Sequence, residues 1–482
     1  MTQTVAVPLW LFLLIIAFAV TSFASNFLFP SVRWFFRARV ERAVQRLNER
    51  LHRPIDLFKL ARRQDRIARL IYDSKVMDAV GERAAGAGLP VPVAFEEARR
   101  YAREIVPGFS ATLYFGVAIR AARWFSRTLY RVRIGRPDAA LRKIDPAATV
   151  VFVMNHRSNM DYVLVTWLVA RRASISYAVG EWARVWPLSG MIRAMGAYFI
   201  RRGNRNALYR RILARYVQMT TAEGITQAIF PEGGLSLDGR VGAARLGLLS
   251  YIVTGFVAGG RDVVFVPVGL AYDHVLEDRI LIEAAAAGTR RFRARPLAVG
   301  LGALGLIGRM VTGRFRGFGT AAAAFGAPVS LAGFLARFPA GHDGEATAAL
   351  GRHLMAGIGR VVPVVPVPLV AMALARGAQA RGVQARGVQA RGVQSEAEVL
   401  TLAEALAGEL KGVGAVMKLA PQGMAATVRE GLGSLTRRGL IGADFTATAG
   451  SQPLLDFYAA GVAQLLSGPA DLSDPMGTKR RI

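Results

Sequence analysis

The stretch Asn155-His156-Arg157-Ser158-Asn159-Met160-Asp161 lies between two apolar runs, and the reading of that junction decides the fold. Upstream, Thr149-Val150-Val151-Phe152-Val153-Met154 is short and β-branched, the composition of a buried strand. Downstream, Tyr162 to Ala170 is longer and ends in Arg171-Arg172, which suits the C-terminal end of a helix. The polar stretch is therefore a strand-to-helix turn, where α/β folds hold reactive groups. His156 can take a proton near neutral pH. Asp161, five positions on, can orient the ring and stabilise its charged form. The positive end of the following helix disfavours imidazolium and helps keep a base neutral. A polar loop with a chance His and Asp is the plain alternative, because H-x4-D is a common spacing.

Working outward, strands and helices alternate from residue 149. Strand 149–154 and helix 162–170 are followed by a helix around Gly190–Met195 and a short strand, Ala197–Ile200, ending in Arg201-Arg202. Helix Ala207–Glu223, strand Ile225–Phe230, loop Pro231–Arg240, helix Val241–Val257 and strand Asp262–Tyr272 complete the series. This alternation predicts an α/β domain over residues 146–374, with a mixed, largely parallel sheet flanked by helices. Pro267 inside the last strand marks a bulge or the approach of a ligand.

Residues 5–29 carry no charge and span about 37 Å as a helix. Arg33, Arg37, Arg39 and Arg42 follow at once, while Met1 to Thr4 have no basic side chain. A transmembrane or interfacial anchor over residues 1–30 is expected, with the rest of the chain on the cytoplasmic side. A cleaved signal peptide is the rival, but it lacks a positive n-region. Residues 31–145 read as helices: 39–51, 57–80, 94–106 and 109–132. In the last of these Arg120, Arg123, Arg127 and Arg131 make a basic stripe on an apolar helix. Such a stripe suits an anionic membrane surface, or a solvated face of an ordinary packed helix.

Ala375 to Gln394 is an internal repeat of Ala-Arg-Gly-Ala/Val-Gln. A period of five matches neither helix nor strand, so no face can be buried along it, and a flexible linker is expected. Ser395-Glu396-Ala397-Glu398 is a capping box opening a C-terminal helical region, 395–482.

The net charge is +29, nearly all of it Arg, over 482 residues that are 52% hydrophobic. Nucleic acid is the weakest candidate partner, because no zinc-finger, RNP-like or helix-turn-helix signature accompanies the charge. Anionic lipid or a phosphorylated or acidic substrate fits better. With no Cys there is no thiolate nucleophile and no Cys-based metal site. The five His are scattered, without the paired spacing of a zinc ligand set.

Four stretches stand in order: His156 to Tyr162; Gly196-Ala197-Tyr198-Phe199-Ile200-Arg201-Arg202; Phe230-Pro231-Glu232-Gly233-Gly234-Leu235-Ser236, closing with Asp238-Gly239-Arg240; and Val264-Phe265-Val266-Pro267-Val268 with Tyr272-Asp273-His274 after it. Together they resemble the four sequence blocks of the glycerolipid acyltransferases, and most of all the bacterial glycerol-3-phosphate acyltransferases. The resemblance runs from about 150 to 275 and continues more weakly to 375. It implies that His156 is the general base and Asp161 its orienting acid. It implies an acceptor site of Arg201 or Arg202 with Glu232, Gly233 and Ser236, helped by Gly234, Arg240 and the neighbouring Arg157 and Ser158, and a cleft wall shaped by Pro267. An Arg fork suits phosphate, and paired glycines let backbone N–H groups reach it.

The implied reaction is acylation of the sn-1 hydroxyl of glycerol 3-phosphate. Acyl-CoA or acyl carrier protein is the co-substrate, with no metal or bound cofactor, at the bacterial inner membrane with the catalytic domain facing the cytoplasm. One departure leaves the acceptor open between glycerol 3-phosphate, dihydroxyacetone phosphate and a lysophospholipid. Leu235 and Leu237 stand where the glycerol-3-phosphate enzymes usually carry Arg. A catalytically inactive basic membrane scaffold and a phosphate-handling hydrolase are the readings from other classes. The intact His156 and Asp161 weigh against the first. The lack of a metal cluster or P-loop in the sequence weighs against the second.

Overall fold

The computed structural model of the chain describes residues 63–135, 142, 144–169, 175–180, 188–201, 206–288, 305–306, 308–338, 342–380 and 395–468. The expected anchor 5–29, the arginines that follow it, the helix 39–51 and Arg202 lie outside those residues. Among the described residues no helix is long and apolar enough to cross a membrane.

Helices α1 (Arg63–Ile71), α2 (Ser74–Ala87) and α3 (Val91–Ile105) come first. Where periodicity predicts one helix over 57–80, the chain breaks at Tyr72-Asp73. Asp73 caps α2, its carboxylate accepting from the Lys75 N–H at 3.2 Å. A π-helical segment, Thr112–Ala118, then leads into α4, Ile119–Leu129. The sequence reading carries this helix to Val132; instead Arg131–Ile134 forms strand β1. Helical and strand periods coincide there, and tertiary partners decide: Arg131 and Arg133 both reach Glu430, far along the chain.

The α/β region follows as β2 (Thr149–Met154), α5 (Met160–Val169), β3 (Ser176–Val179), α6 (Leu188–Ala194), β4 (Tyr198–Phe199), α7 (Ala207–Ala222), β5 (Gln227–Ile229), α8 (Gly247–Thr254), β6 (Val263–Tyr272), α9 (Asp278–Ala286), β7 (Thr320–Phe325), β8 (Val329–Ser330) and α10 (Leu331–Leu335). After these come α11 (Asp343–Val361), α12 (Pro366–Ala380), α13 (Glu396–Gly412), α14 (Met424–Arg437) and α15 (Gln452–Ser467). The expected start of α8 at Val241 is six residues early. Residues 241–245 are drawn out instead, with Arg245 N–H on Pro231 O at 2.7 Å and Gly242 N–H on Glu232 at 3.3 Å. Against the expected linker from Ala375, helix α12 runs to Ala380, through the whole first unit of the repeat and with Gly377 buried, because it continues the packed helix that starts at Pro366; 381–394 lie outside the described residues. Ser395 caps α13 as expected, its hydroxyl accepting from Glu398 N–H at 3.2 Å.

The described strands form one mixed sheet in the order β1-β7-β6-β2-β5-β3-β4, with β8 also on β6. Strands β2 to β6 are parallel; β7 and β8 run antiparallel to β6. The central pair, β2 and β6, is buried along its whole length. The link from β2 to β3 crosses the sheet in one direction and that from β5 to β6 in the other. Right-handed crossovers therefore set α5 and α8 on opposite faces: α5 packs on α4, and α8 on α7 and α11. The C-terminal ends of β2 and β5 border the resulting switch point, where open α/β sheets bind ligands.

Pro267 does not bulge β6. Its carbonyl accepts from Gly326 N–H at 2.8 Å, so its N side faces the same edge, in the gap between the β7 register (from Val268) and the β8 register (to Phe265). A residue without an N–H costs no ladder bond there. One apolar core runs from Ile67 of α1 through the sheet to Val365.

Candidate active site

Asn155 locks the end of β2 onto β6. Its amide donates to Leu270 O at 2.9 Å, and its Oδ1 accepts from Leu270 N–H at 2.8 Å. The chain then turns tightly around one carboxylate. Asp161 Oδ2 accepts from Arg157 N–H at 2.7 Å and Ser158 N–H at 3.0 Å, and meets His156 Nδ1 at 2.9 Å. Tyr272, at the end of β6, donates its hydroxyl to Asp161 Oδ1 at 2.7 Å. With Nδ1–H directed at the carboxylate, the neutral imidazole presents the lone pair of Nε2, the tautomer a base needs. Phe230 stacks on the imidazole with ring centres 4.2 Å apart, and Tyr162 meets it edge-on at 5.4 Å. His156 and Asp161 are 2% and 0% exposed.

The third block wraps the first. Glu232 Oε1 accepts from His156 N–H at 3.0 Å and its Oε2 from Gly242 N–H. Burial pushes its pKa up to about 7, against the opposing pull of Arg157. Ser236 N–H donates to His156 O at 2.9 Å, and the Ser236 hydroxyl donates to Arg240 O at 2.7 Å. Gly233 has φ +67° and a Cβ there would lie 2.6 Å from the Arg245 side chain, so only glycine fits. Gly234 is buried, Arg240 is exposed, and Leu235 and Leu237 are half-buried. Arg157 is buried and burial lowers its pKa; Glu232, Asp238 and Asp161 counter that from nearby.

Arg201 is held elsewhere. Its Nε and Nη2 fork onto Glu104 at 2.9 and 2.6 Å, which raises its pKa, and it lies over the rings of Tyr101 and Tyr209. Pro267 packs against Gly326 and Gly357 and does not line the apolar cavity described below. His274, to which the sequence gives no role, meets Phe318 edge-on, and burial holds its pKa down at about 4.

Sequence reasoning gives no role to Tyr272 or Glu277. Tyr272 sits just beyond the fourth block, directly before Asp273. Glu277 accepts from the Ser158 hydroxyl at 2.8 Å, Asn159 N–H at 3.2 Å and Asn159 Nδ2–H at 3.0 Å. Nothing local to either residue announces such a partner more than a hundred positions away.

Beside the imidazole lies an apolar cavity of about 420 Å³, lined among others by Val117, Phe125, Met160, Tyr162, Val163 and Ile192. That volume is within the range of small-molecule sites, roughly 300–1,000 Å³. Its outer wall is α4, which exposes Trp124 and Phe125 together with Arg120, Arg123 and Arg127. On another side α15 grips the third block. The Gln464 amide accepts from Val241 N–H at 2.8 Å and donates to Val241 O at 2.9 Å. Gly239, at φ +78°, lets Phe457 O approach where any Cβ would collide, at 1.9 Å.

Residues 138–271 match the acyltransferase family. The glycerol-3-phosphate acyltransferase of Shewanella frigidimarina is 33% identical over 224 residues, 45% of this chain and 28% of that protein. The protein of the same name from Pseudomonas putida is 29% identical over 282 residues, 57% of this chain and 33% of its own length. The chain thus spans about a third of the curated relatives it matches. The crystal structure of the 1-acyl-sn-glycerophosphate acyltransferase of Thermotoga maritima is 19% identical and covers 50% of this chain and 76% of its own. Its TM-score is 0.31, too low to bear on the fold.

Proposed function

Taking residues 138–271 as a domain of the acyltransferase family, we propose that the protein transfers a long acyl chain from acyl-CoA or acyl carrier protein to the sn-1 hydroxyl of glycerol 3-phosphate, giving lysophosphatidate. His156 Nε2 takes the hydroxyl proton as the oxygen attacks the thioester carbonyl. The C–S bond then breaks, and the departing thiolate takes that proton back from the imidazolium. Asp161 holds the ring and stabilises its charge. The observation that carries this reading is the 2.9 Å contact between His156 Nδ1 and an Asp161 carboxylate whose oxygens are otherwise filled by Arg157, Ser158 and Tyr272. The apolar cavity one aromatic ring away is the place for the acyl chain. So complete a support for one imidazole argues against a catalytically inactive scaffold.

A second acceptor, dihydroxyacetone phosphate or a lysophospholipid, has a specific observation in its favour. Leu235 and Leu237 stand at half-buried places in the third block, and the Arg201 fork is occupied by Glu104. Arg240, on the loop that Ser236 ties to His156 O, is the cation we assign to the acceptor phosphate. The reading includes attachment to the cytoplasmic face of a bacterial inner membrane. The exposed Trp124 and Phe125 beside three arginines on α4 support it.

The test offers purified protein a labelled acyl chain on coenzyme A and, separately, on acyl carrier protein, with each of the three acceptors, and separates the products. Labelled lysophosphatidate from glycerol 3-phosphate is expected. Label transferred only to one of the other acceptors moves the assignment there, and no transfer to any acceptor rejects it.

A further inference from the structure

We propose that Glu277 is a positioning residue of the catalytic loop, fixing from the far side of Ser158 and Asn159 the turn that holds Asp161 against His156. The inference rests on the acyltransferase reading and goes beyond it. Helix α5 begins at Met160, so the N–H groups just ahead of it have no partners within the helix. Asp161 takes those of Arg157 and Ser158, and Glu277 takes that of Asn159. The same carboxylate accepts from the Asn159 amide and the Ser158 hydroxyl, and Ser158 Oγ in turn accepts from Met160 N–H at 3.1 Å. The turn is thus clasped by two carboxylates. Asp161 belongs to the loop itself, whereas Glu277 arrives from the segment between β6 and α9.

Glu277 is held in place by its neighbour. Asp278 Oδ2 accepts from Tyr458 Oη–H at 2.6 Å and from the Arg438 guanidinium, and Tyr458 Oη accepts from Val275 N–H at 3.0 Å. Arg438, which caps the C-terminus of α14, and Tyr458 of α15 thereby anchor the segment 275–278, and through Glu277 they reach the loop that carries the base. Glu277 is bonded to Ser158 and Asn159, not to the imidazole, so it acts through the loop. A shift of about 1 Å in a catalytic group can lower a rate by about 100-fold. That is the scale of effect expected if the clasp is lost.

The full chain is compared with Glu277→Ala, Asn159→Ala and the double variant. Glu277→Ala is expected to lower kcat by about 10- to 100-fold while KM for both substrates stays close to wild type; the three donors it leaves unpaired lower the melting temperature as well. The double variant should be no worse than Glu277→Ala alone, because both changes break one interaction. If Glu277→Ala does not fold, Glu277→Asp takes its place in the cycle, since it keeps the charge but falls a methylene short. Glu277→Gln, which still offers an oxygen to Asn159 N–H and an amide to Ser158 Oγ, should recover most of kcat. Independently of turnover, the proton NMR signal of the His156 Nδ1–H is expected in wild type and should be weakened in Glu277→Ala. Unchanged kcat with a lowered melting temperature, or losses that multiply in the double variant, overturns the proposal. A wild type that turns over nothing, yet shows the Nδ1–H signal and loses it in Glu277→Ala, rejects the acyltransferase reading and leaves the positioning role standing.

Discussion

Tyr272 donates its hydroxyl to Asp161 Oδ1 at 2.7 Å, tying the last residue of the central strand β6 to the acid that opens helix α5. The bond joins two elements more than a hundred residues apart and leaves Asp161 Oδ2 for His156 and two backbone amides. Burial and the Asp161 charge push the Tyr272 pKa well up, so the phenol stays protonated and remains a donor.

Tyr272→Phe removes that donor from a buried carboxylate and leaves one oxygen unpaired. A stability loss of about 1–3 kcal/mol is expected, together with a fall in kcat of about 10-fold as the carboxylate loses one of its fixed orientations. Denaturant titration and steady-state kinetics on the same preparation measure both. Unchanged values for both would mean that Asp161 is held well enough by the loop alone.

The pair of hydrogen bonds between Gln464 and Val241 predicts a separation of kinetic effects. Gln464→Ala should raise KM for the phosphorylated acceptor more than KM for the acyl donor, because Val241 follows Arg240 on the acceptor loop. In Gln464→Glu an ionised carboxylate faces Val241 O and repels it, whereas the protonated carboxyl can donate to it. The acceptor KM of that variant, relative to wild type, should therefore fall as the pH is lowered. Equal changes in both KM values, without pH dependence, would remove the clamp from the acceptor site.

Glu232 predicts a pH dependence of stability. Burial raises its folded pKa from 4.5 to about 7. A carboxyl with a raised folded pKa is tolerated while protonated, and ionising it costs stability as the pH climbs through that interval. Relative to Glu232→Gln, wild type should lose stability as the pH rises from about 4.5 to 8, by on the order of 3 kcal/mol in total. Other buried groups, Asp273 and His274 among them, titrate in both proteins and cancel in the difference. Urea unfolding at a series of pH values reads it. A constant gap between the two proteins would show that Glu232 is ionised in the folded state throughout.

The strand, turn and helix around His156 were legible because each signal is local: a β-branched run, a polar break, then a longer apolar segment. His156 with Asp161 is readable from the turn, Glu232 and Ser236 only through the family resemblance, and the structure gathers all four at one strand-end cluster. Arg201 shows where spacing stops. Its partner, Glu104, sits 97 positions earlier on α3, and no local pattern links the two. The sequence reading places Arg131 and Val132 at the end of a helix because Arg127 and Arg131 are four apart, while the partner of β1, β7, is far downstream. Tyr272, Glu277 and Gln464 are ordinary residues in sequence; only the folded sheet and the packing of α15 turn them toward the loop.

The most direct measurement is the rate of labelled acyl transfer from acyl-CoA to glycerol 3-phosphate by wild type and by His156→Ala, with folding checked by circular dichroism. A general base of this kind contributes about 10²–10⁴-fold, so the variant should fold as wild type does and lose turnover by that factor. A His156→Ala protein that folds and acylates at close to the wild-type rate would contradict the account.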